Sequence, residues 1–311
     1  MKKHLVLAMG LLLVVGALAG CGGKSTRTTD PLGSGDNGGA TAADRAQVAD
    51  ELASNVPLVE EDVYQSNAPM EMAVGGSGMA LVRPLHWWRH IESNTRTFQT
   101  DFSNPDSLGR PTIATVTLRH HLEGTFNLVA GDTAAGDTSR TLIRKPLDDN
   151  WVRRLLFKRV RVDSTGLHSV WRIVGTSGVR VTSKDAVTHI EWIRVQAGRR
   201  DTTITDPLEL HRLRRVLWIA EGTAVHITVK TRSADDLVIL YRNDGRRRFH
   251  ANGDGTFSID FLTGDFPGLR HFGVNALSRG TLFDDVAPYD SQAWILPFAV
   301  RDVDAAVGGL H

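Results

Sequence analysis

Apolar and polar residues alternate one by one from about residue 80 onward. Successive side chains of a β-strand point to opposite faces of a sheet, so this period of two predicts strands with one buried and one solvated face. The apolar positions of the clearest segments are Ala114, Val116 and Leu118; Val160 and Val162; Val225, Ile227 and Val229; Phe257, Ile259 and Phe261; and Phe272, Val274 and Ala276. Long helical stretches are absent here, so parallel crossovers are not expected. We therefore expect a mainly β fold of antiparallel β-sandwich-type domains in tandem.

The composition agrees with a folded, water-soluble body. Hydrophobic residues make up 41% of the 311 residues and charged residues 23%, which is typical of globular proteins and not of disordered or multi-span membrane chains. The formal net charge is +1, from 36 basic and 35 acidic residues. Nucleic-acid-binding proteins normally carry a basic excess, so this balance excludes nucleic acid as the expected partner.

The N-terminus has the pattern of an export signal. Lys2 and Lys3 precede an apolar stretch over residues 5–19. This stretch is shorter than the roughly 20 apolar residues of a transmembrane helix, and it suits the apolar region of a signal peptide. We expect residues 1–20 to be removed.

The apolar stretch ends in Leu18-Ala19-Gly20-Cys21, which resembles the lipobox of bacterial lipoproteins. The resemblance implies cleavage before Cys21, a diacylglyceryl group on its thiol and a third acyl chain, such as palmitate, on its amine. Three chains anchor a protein firmly, since each buried methylene contributes about 0.8 kcal/mol. Cys21 is the single cysteine, so an internal disulfide and Cys-rich metal sites are excluded. An ordinary secretory signal and an uncleaved anchor helix remain alternatives.

The residues after Cys21 bear on the location. In enterobacterial lipoproteins an aspartate directly after the cysteine favours inner-membrane retention, whereas this chain has Gly22 and Gly23. Similarity to that rule implies the outer membrane of a bacterial cell envelope, with membrane lipid as the first partner through acylated Cys21.

The composition also suggests how the rest of the chain is divided. Residues 21–43 are rich in Gly, Ser, Thr and Asp, which predicts a flexible tether. Residues 44–80 are expected to form a short helix over 44–56, ended by Pro57, and then loop. We expect a β-rich domain over residues 81–218 and a second β-sandwich over 219–311, with residues 208–218 forming a short helix or an irregular crossing between them.

The second β-rich region resembles bacterial immunoglobulin-like domains. Its segment Pro267-Gly268-Leu269-Arg270-His271-Phe272-Gly273-Val274-Asn275-Ala276 looks like a strand of that family, with His271 at the usual tyrosine position. The resemblance implies a fold and no function. For residues 81–218, the segment Val170-Trp171-Arg172-Ile173-Val174 resembles part of an α+β cone-like fold of the nuclear-transport-factor type, which is the alternative to a sandwich.

No catalytic motif survives inspection, and no cofactor is expected. His86 and His90 have the spacing of a zincin helix, but Trp87 stands where its catalytic glutamate belongs. His120 shares a face with Val116, Leu118 and Leu122, which indicates a hydrogen-bonded core histidine. Ser77 lacks the glycine two residues later that a nucleophile elbow requires.

Acidic and basic clusters are each better explained as surface features. Asn252 and Asp254, together with Asp284-Asp285, could hold calcium, but the loop lacks the glycine and glutamate of an EF-hand. Asp148-Asp149 is expected to be a solvated pair. The basic run at residues 246–248 is expected to decorate a hairpin, with lipid A or an acidic glycan as possible contacts.

The tryptophans give the last indication of function. Trp171 and Trp192 lie within strand patterns and should be core. Trp87, Trp88 and Trp151 lie nearer loops, where an exposed indole could stack on a sugar ring or a partner, but core packing is the favoured interpretation. We expect a membrane-anchored envelope lipoprotein with a non-enzymatic binding or structural role and an envelope protein or glycan as partner. The alternatives are a glycan- or small-ligand-binding lipoprotein using Trp87 and Trp88, and a metal-dependent hydrolase using His86, His90 and a distant acid.

Overall fold

The computed structural model of the chain describes residues 28–29, 39–55, 69–72, 82–131, 139–163, 168–243, 245–264 and 266–301. The expected signal peptide, the acylation site Cys21, most of the tether and Ser77 lie outside these residues. No helix in this described part has the length and apolar character that crossing a membrane requires.

The fold is mainly β, as the alternation predicts, and its strand pairs are antiparallel except β1 with β3 and β10 with β17. The helices are α1 (Ala42–Ser54) and α2 (Arg279–Phe283). The strands are β1 (Thr28–Thr29), β2 (Met70–Glu71), β3 (Arg83–Pro105), β4 (Pro111–Gly131), β5 (Arg140–Arg161), β6 (Ser169–Ser183), β7 (Ile190–Ala197), β8 (Arg200–Ile204), β9 (His211–Arg212), β10 (Leu217–Ala220), β11 (Ala224–Thr231), β12 (Leu237–Arg242), β13 (Gly245–Arg248), β14 (His250–Ala251), β15 (Thr256–Leu262), β16 (Gly268–Leu277) and β17 (Ser291–Arg301).

The strands form two sheets. The larger sheet has the order β1-β3-β4-β5-β6-β17-β16-β12-β13, with β2, β9 and β10 paired to its strands from the side. The smaller sheet has the order β14-β15-β11-β7-β8. Each sheet therefore contains strands from before and after residue 219, the boundary expected between two domains.

Strands β12, β16 and β17 form the central layer of the molecule. On β12, Val238 and Leu240 belong to the core shared with the smaller sheet, whereas Ile239 and Tyr241 belong to a core shared with Trp87. Because both faces of these strands are covered there, residues 237–241, 272–277 and 291–296 are buried without interruption. The third core lies under α1 and contains residues from the first half of β4, the second half of β5 and most of β6.

Helix α1 begins at Ala42, two residues earlier than predicted, because Thr41 caps it. The Thr41 hydroxyl accepts a hydrogen bond from the backbone N–H of Asp44, and the Asp44 carboxylate accepts one from the backbone N–H of Thr41. The Asp44 carboxylate also accepts a hydrogen bond from Trp171 Nε1 at 3.0 Å. Val48 and Leu52 are buried against the larger sheet, as the spacing of four predicts.

Two local predictions of burial are wrong. Val160 and Val162 are 38% and 58% exposed, although their alternation predicts a buried face. The pairing of β4 with β5 ends at Lys158, so the chain beyond it has no β4 neighbour to cover it. Trp192 is half-buried and not core, whereas Trp171 is 1% exposed, as predicted.

Candidate functional site

The chain between β8 and β10 crosses β6 of the larger sheet as an irregular segment, which we call the crossing segment (residues 205–216). It contains the two-residue strand β9, paired with Gly175 and Thr176 of β6, and a 3-10 turn over Leu213–Arg215. A Cβ atom on Gly175 would lie 2.8 Å from the carbonyl oxygen of His211. One on Gly178 would lie 3.0 Å from the carbonyl oxygen of Pro207. Glycine at both positions therefore lets the segment lie directly on β6.

A pocket of about 370 Å³ opens between the crossing segment, β8 and the larger sheet. We call it the arginine-rimmed pocket. Its apolar walls are formed by Pro207, Val216, Leu217, Phe272, Leu296 and Pro297, and its basic residues are Arg200, His211, Arg214 and Arg215. This volume lies within the range of small-molecule sites, which are concave and mostly apolar with few polar groups. The arrangement suits a ligand with an apolar body and a negative end.

The charges on the rim are strongly unbalanced. Asp206 is the single acidic residue of the lining, and its carboxylate accepts a hydrogen bond from the backbone N–H of Leu208 at 2.9 Å. Trp218, also in the lining, has the Arg200 guanidinium 4.5 Å and the Arg301 guanidinium 5.6 Å from its ring centroid. These cation–π contacts hold the lining residue Arg200 and one further positive charge, Arg301, beside the pocket.

A second pocket of about 370 Å³ lies on the other side of Arg214, and we call it the flanking pocket. Its lining consists of Ile113, Leu156, Lys158, Val174, Arg212, Leu213 and Arg214. It thus repeats the pattern of apolar walls and basic rim. Arg214 lines both pockets.

The side of the larger sheet that packs against β12 and α2 contains a buried group of charged residues. Arg89, Asp149 and Arg153 are each at most 1% exposed. Arg89 Nη1 lies 3.9 Å from Asp149 Oδ2, and the Tyr289 hydroxyl donates a hydrogen bond of 3.2 Å to the same oxygen. Asp149 is therefore an interior ion-pair residue, and the prediction of a solvated Asp148-Asp149 pair is wrong for Asp149.

His120 is buried, as its position in the alternation predicts, but it is not hydrogen-bonded. Neither ring nitrogen has a hydrogen-bond partner in the described part of the chain, and the ring lies 4.3 Å from that of Trp151. Burial, together with the positive charges of Arg96 and Arg153, lowers the pKa of His120 to about 3. The imidazole is therefore neutral at physiological pH and does not exchange a proton there.

The structure separates Trp87 from Trp88. The Trp87 side chain is fully buried and stacks on Phe126 at 5.2 Å. Trp88 is half-buried and stacks on His86 at 5.8 Å. The two indoles are neighbours on a strand and point to opposite faces, so they do not form one contact surface.

The residues considered for metals do not converge. His86 and His90 lie on β3, and within the described residues no three His, Cys, Asp or Glu side chains are arranged to hold a metal ion. In the loop considered for calcium, Asp254 accepts hydrogen bonds from Thr256, and the Asn252 amide bonds Thr256 and Ser258. Asp284 Oδ1 accepts from the backbone N–H groups of Val286 and Ala287.

The basic run at residues 246–248 forms β13 of the predicted hairpin, but Arg246 does not simply decorate the surface. Its guanidinium lies 4.8 Å from the ring centroid of Tyr241 and 5.7 Å from that of Trp87. It therefore covers the end of the core that contains both rings.

Sequence reasoning missed the crossing segment as a site. The signal was present in Arg212-Leu213-Arg214-Arg215, three arginines in four residues between Pro207 and Trp218. Such a run is ordinarily a solvated surface, and only the fold brings it to two apolar pockets.

Comparison of the chain with protein-family models, with curated proteins and with solved structures found no match.

Proposed function

We propose that this protein is a lipid-anchored envelope protein with a non-enzymatic binding role, and that its ligands are amphipathic anions held in the arginine-rimmed pocket. The observation that carries the proposal is the combination of apolar walls with four exposed basic residues in the lining of the same pocket, Arg200, His211, Arg214 and Arg215. The lipobox at Cys21, the tether and the expected outer-membrane location agree with such a role, because amphipathic anions are abundant at membranes.

The energies are sufficient for binding. Each methylene buried in the pocket contributes about 0.8 kcal/mol. Each hydrogen bond between an arginine and the anion adds about 1.5–3 kcal/mol. Eight methylenes and two such bonds would give about 10 kcal/mol or more, from which the loss of freedom on association is subtracted. The remainder corresponds to micromolar affinity or weaker.

Two other candidate functions have less support. Glycan binding through Trp87 and Trp88 would lose half of its contact, since Trp87 is fully buried. A hydrolase using His86 and His90 would need a third ligand, and none converges on them in the described part of the chain.

The test uses the full chain in phosphatidylcholine nanodiscs and palmitate that carries a photoactivatable diazirine. After illumination, mass spectrometry maps the labelled peptides. We expect label on peptides that contain Leu217 or Leu296. The double variant Arg214→Glu and Arg215→Glu should label at least tenfold less, because two favourable charges become repulsive. The control is Arg119→Glu, an exposed arginine of β4, which should label as the wild type does.

Label distributed equally over the surface, or equal labelling of the double variant and the wild type, would contradict the binding site. The anchor is tested separately by intact mass and fractionation of the wild type beside Cys21→Ala. We expect a triacylated wild type in the outer membrane and an unacylated variant. An unmodified wild type would contradict the anchor and leave the binding site untouched.

A further inference from the structure

We propose that the two pockets beside the crossing segment hold the two acyl chains of one anionic phospholipid, whose phosphate lies against Arg214. This inference rests on the proposed function, because it identifies the amphipathic anion and extends the site to the flanking pocket.

The first support is that two cavities of similar size share one lining residue, Arg214. Both pockets have a volume of about 370 Å³, both have apolar walls, and Arg214 lines both. A ligand with a single chain would fill one pocket and leave the apolar walls of the other in water. A ligand with two chains that diverge from one charged group fills both and buries about twice the apolar surface.

The second support is the distribution of charge. Arg212 and Lys158 lie on the side of the flanking pocket, and Arg215 lies on the side of the arginine-rimmed pocket, with Arg214 between them. In the described residues, the side chains of Arg212, Arg214 and Arg215 take part in no hydrogen bond or ion pair. All three side chains are exposed, so water screens part of their mutual repulsion, and an anion bound among them would remove more of it.

The third support is the rigid placement of these arginines. The backbone of β9 pairs with β6, and the 3-10 turn that follows is closed by a hydrogen bond from the Val216 N–H to the Leu213 carbonyl. Gly175 and Gly178 have no side chain, and they therefore allow this backbone to lie directly against the sheet. The backbone that carries the arginines is therefore fixed, and their exposed side chains would surround the phosphate.

The chemistry of the walls favours a phospholipid over an acidic peptide. A peptide in either pocket would bury amide groups against Ile113, Leu156, Phe272 and Leu296, which offer no hydrogen bonds. Acyl chains have no polar atoms to satisfy. A phosphodiester presents several oxygen atoms, which match the forked guanidinium group.

The experiment compares photoactivatable phosphatidylglycerol, with a diazirine on each chain, against phosphatidylcholine labelled in the same way and against diazirine palmitate. The full chain is again held in nanodiscs. The variant Val174→Trp fills the flanking pocket, and Val160→Trp on β5, outside both pockets, is its control.

We expect phosphatidylglycerol to label peptides that contain Leu156 or Val174 and also peptides that contain Leu217 or Leu296. Val174→Trp should lower phosphatidylglycerol labelling at least tenfold, whereas palmitate should still label the arginine-rimmed pocket, which also shows that the variant is folded. Arg214→Gln should reduce the preference for phosphatidylglycerol over phosphatidylcholine at least fivefold.

Three results would overturn the inference. They are phosphatidylglycerol label at one pocket alone, no effect of Val174→Trp beyond that of Val160→Trp, and equal labelling by both phospholipids. In each case palmitate labelling of the arginine-rimmed pocket would leave the proposed function standing. Absence of palmitate labelling in the wild type would contradict both the inference and the proposed function.

Discussion

Asp148 and Asp149 are adjacent in sequence, yet their removal should have very different effects on stability. Asp149→Ala leaves the Arg89 guanidinium, 1% exposed, without its carboxylate at 3.9 Å and the Tyr289 hydroxyl without its acceptor at 3.2 Å. Removing one partner of a buried ion pair costs about 3–5 kcal/mol. Asp148 is 28% exposed, and its contacts with Lys184 at 3.8 Å and His121 at 3.5 Å are surface ion pairs. Asp148→Ala should therefore cost less than about 1 kcal/mol.

The assay is urea unfolding of the purified full chain, followed by tryptophan fluorescence. With an m-value of about 3 kcal/mol/M, Asp149→Ala should lower the midpoint by about 1–1.7 M and Asp148→Ala by less than about 0.3 M. A larger shift of the midpoint for Asp148→Ala than for Asp149→Ala would refute the reasoning. A slip of β5 by one residue exchanges the faces of the two aspartates, so a larger effect of Asp148→Ala would show a different register.

Three further predictions follow from buried side chains. Trp87→Ala should lower the free energy of unfolding by about 3–5 kcal/mol, and Trp88→Ala by clearly less, since Trp88 is half-buried; equal losses in urea titrations would contradict this. His120 has a pKa of about 3 in the fold because it is buried, against about 6.5 when unfolded, so its contribution to stability falls as the pH drops from about 6.5 toward 3. In the variant His120→Leu, the free energy of unfolding should no longer show this decrease between about pH 6.5 and 3. An unchanged dependence of stability on pH would count against a neutral buried imidazole. Burial raises the pKa of Asp236 to about 6, so the folded chain keeps a proton that the unfolded chain loses above about pH 4, and this contribution declines as the pH rises to 6. The variant Asp236→Asn should remove this opposite slope; a decline that persists in the variant would show that another group causes it.

Strand β11 of the smaller sheet and the end of β5 illustrate how far the alternating pattern alone predicts burial. On β11, the alternating Val225, Ile227 and Val229 are fully buried as predicted, because a two-sided environment imposes the period of two. Val160 and Val162 show the same period, but they extend past the last pair between β4 and β5 and are exposed. Alternation identifies a strand, and only the neighbouring strand determines whether its apolar face is covered.

The candidate site was predictable only in its parts. The three arginines of residues 212–215 and the apolar residues of β16 and β17 are visible in the sequence, but no spacing rule connects them. The sequence does not indicate which of Asp148 and Asp149 is buried, nor which of Trp87 and Trp88, because each pair consists of two identical adjacent residues. One residue of each pair is interior because successive side chains of β5 and of β3 point to opposite faces.

The amino-acid sequence by itself determined that this chain is mainly β, where its most clearly alternating strands lie, and which residues of α1 form its apolar face. These features depend on interactions between residues a few positions apart, which local patterns encode. The tertiary structure alone decided that strands from both sides of residue 219 share two sheets, that Asp149 pairs inside with Arg89, and that Arg214 lies between two apolar pockets. These depend on contacts between residues far apart in the chain, where many pairings bury similar apolar surface and the packing of the whole fold selects one.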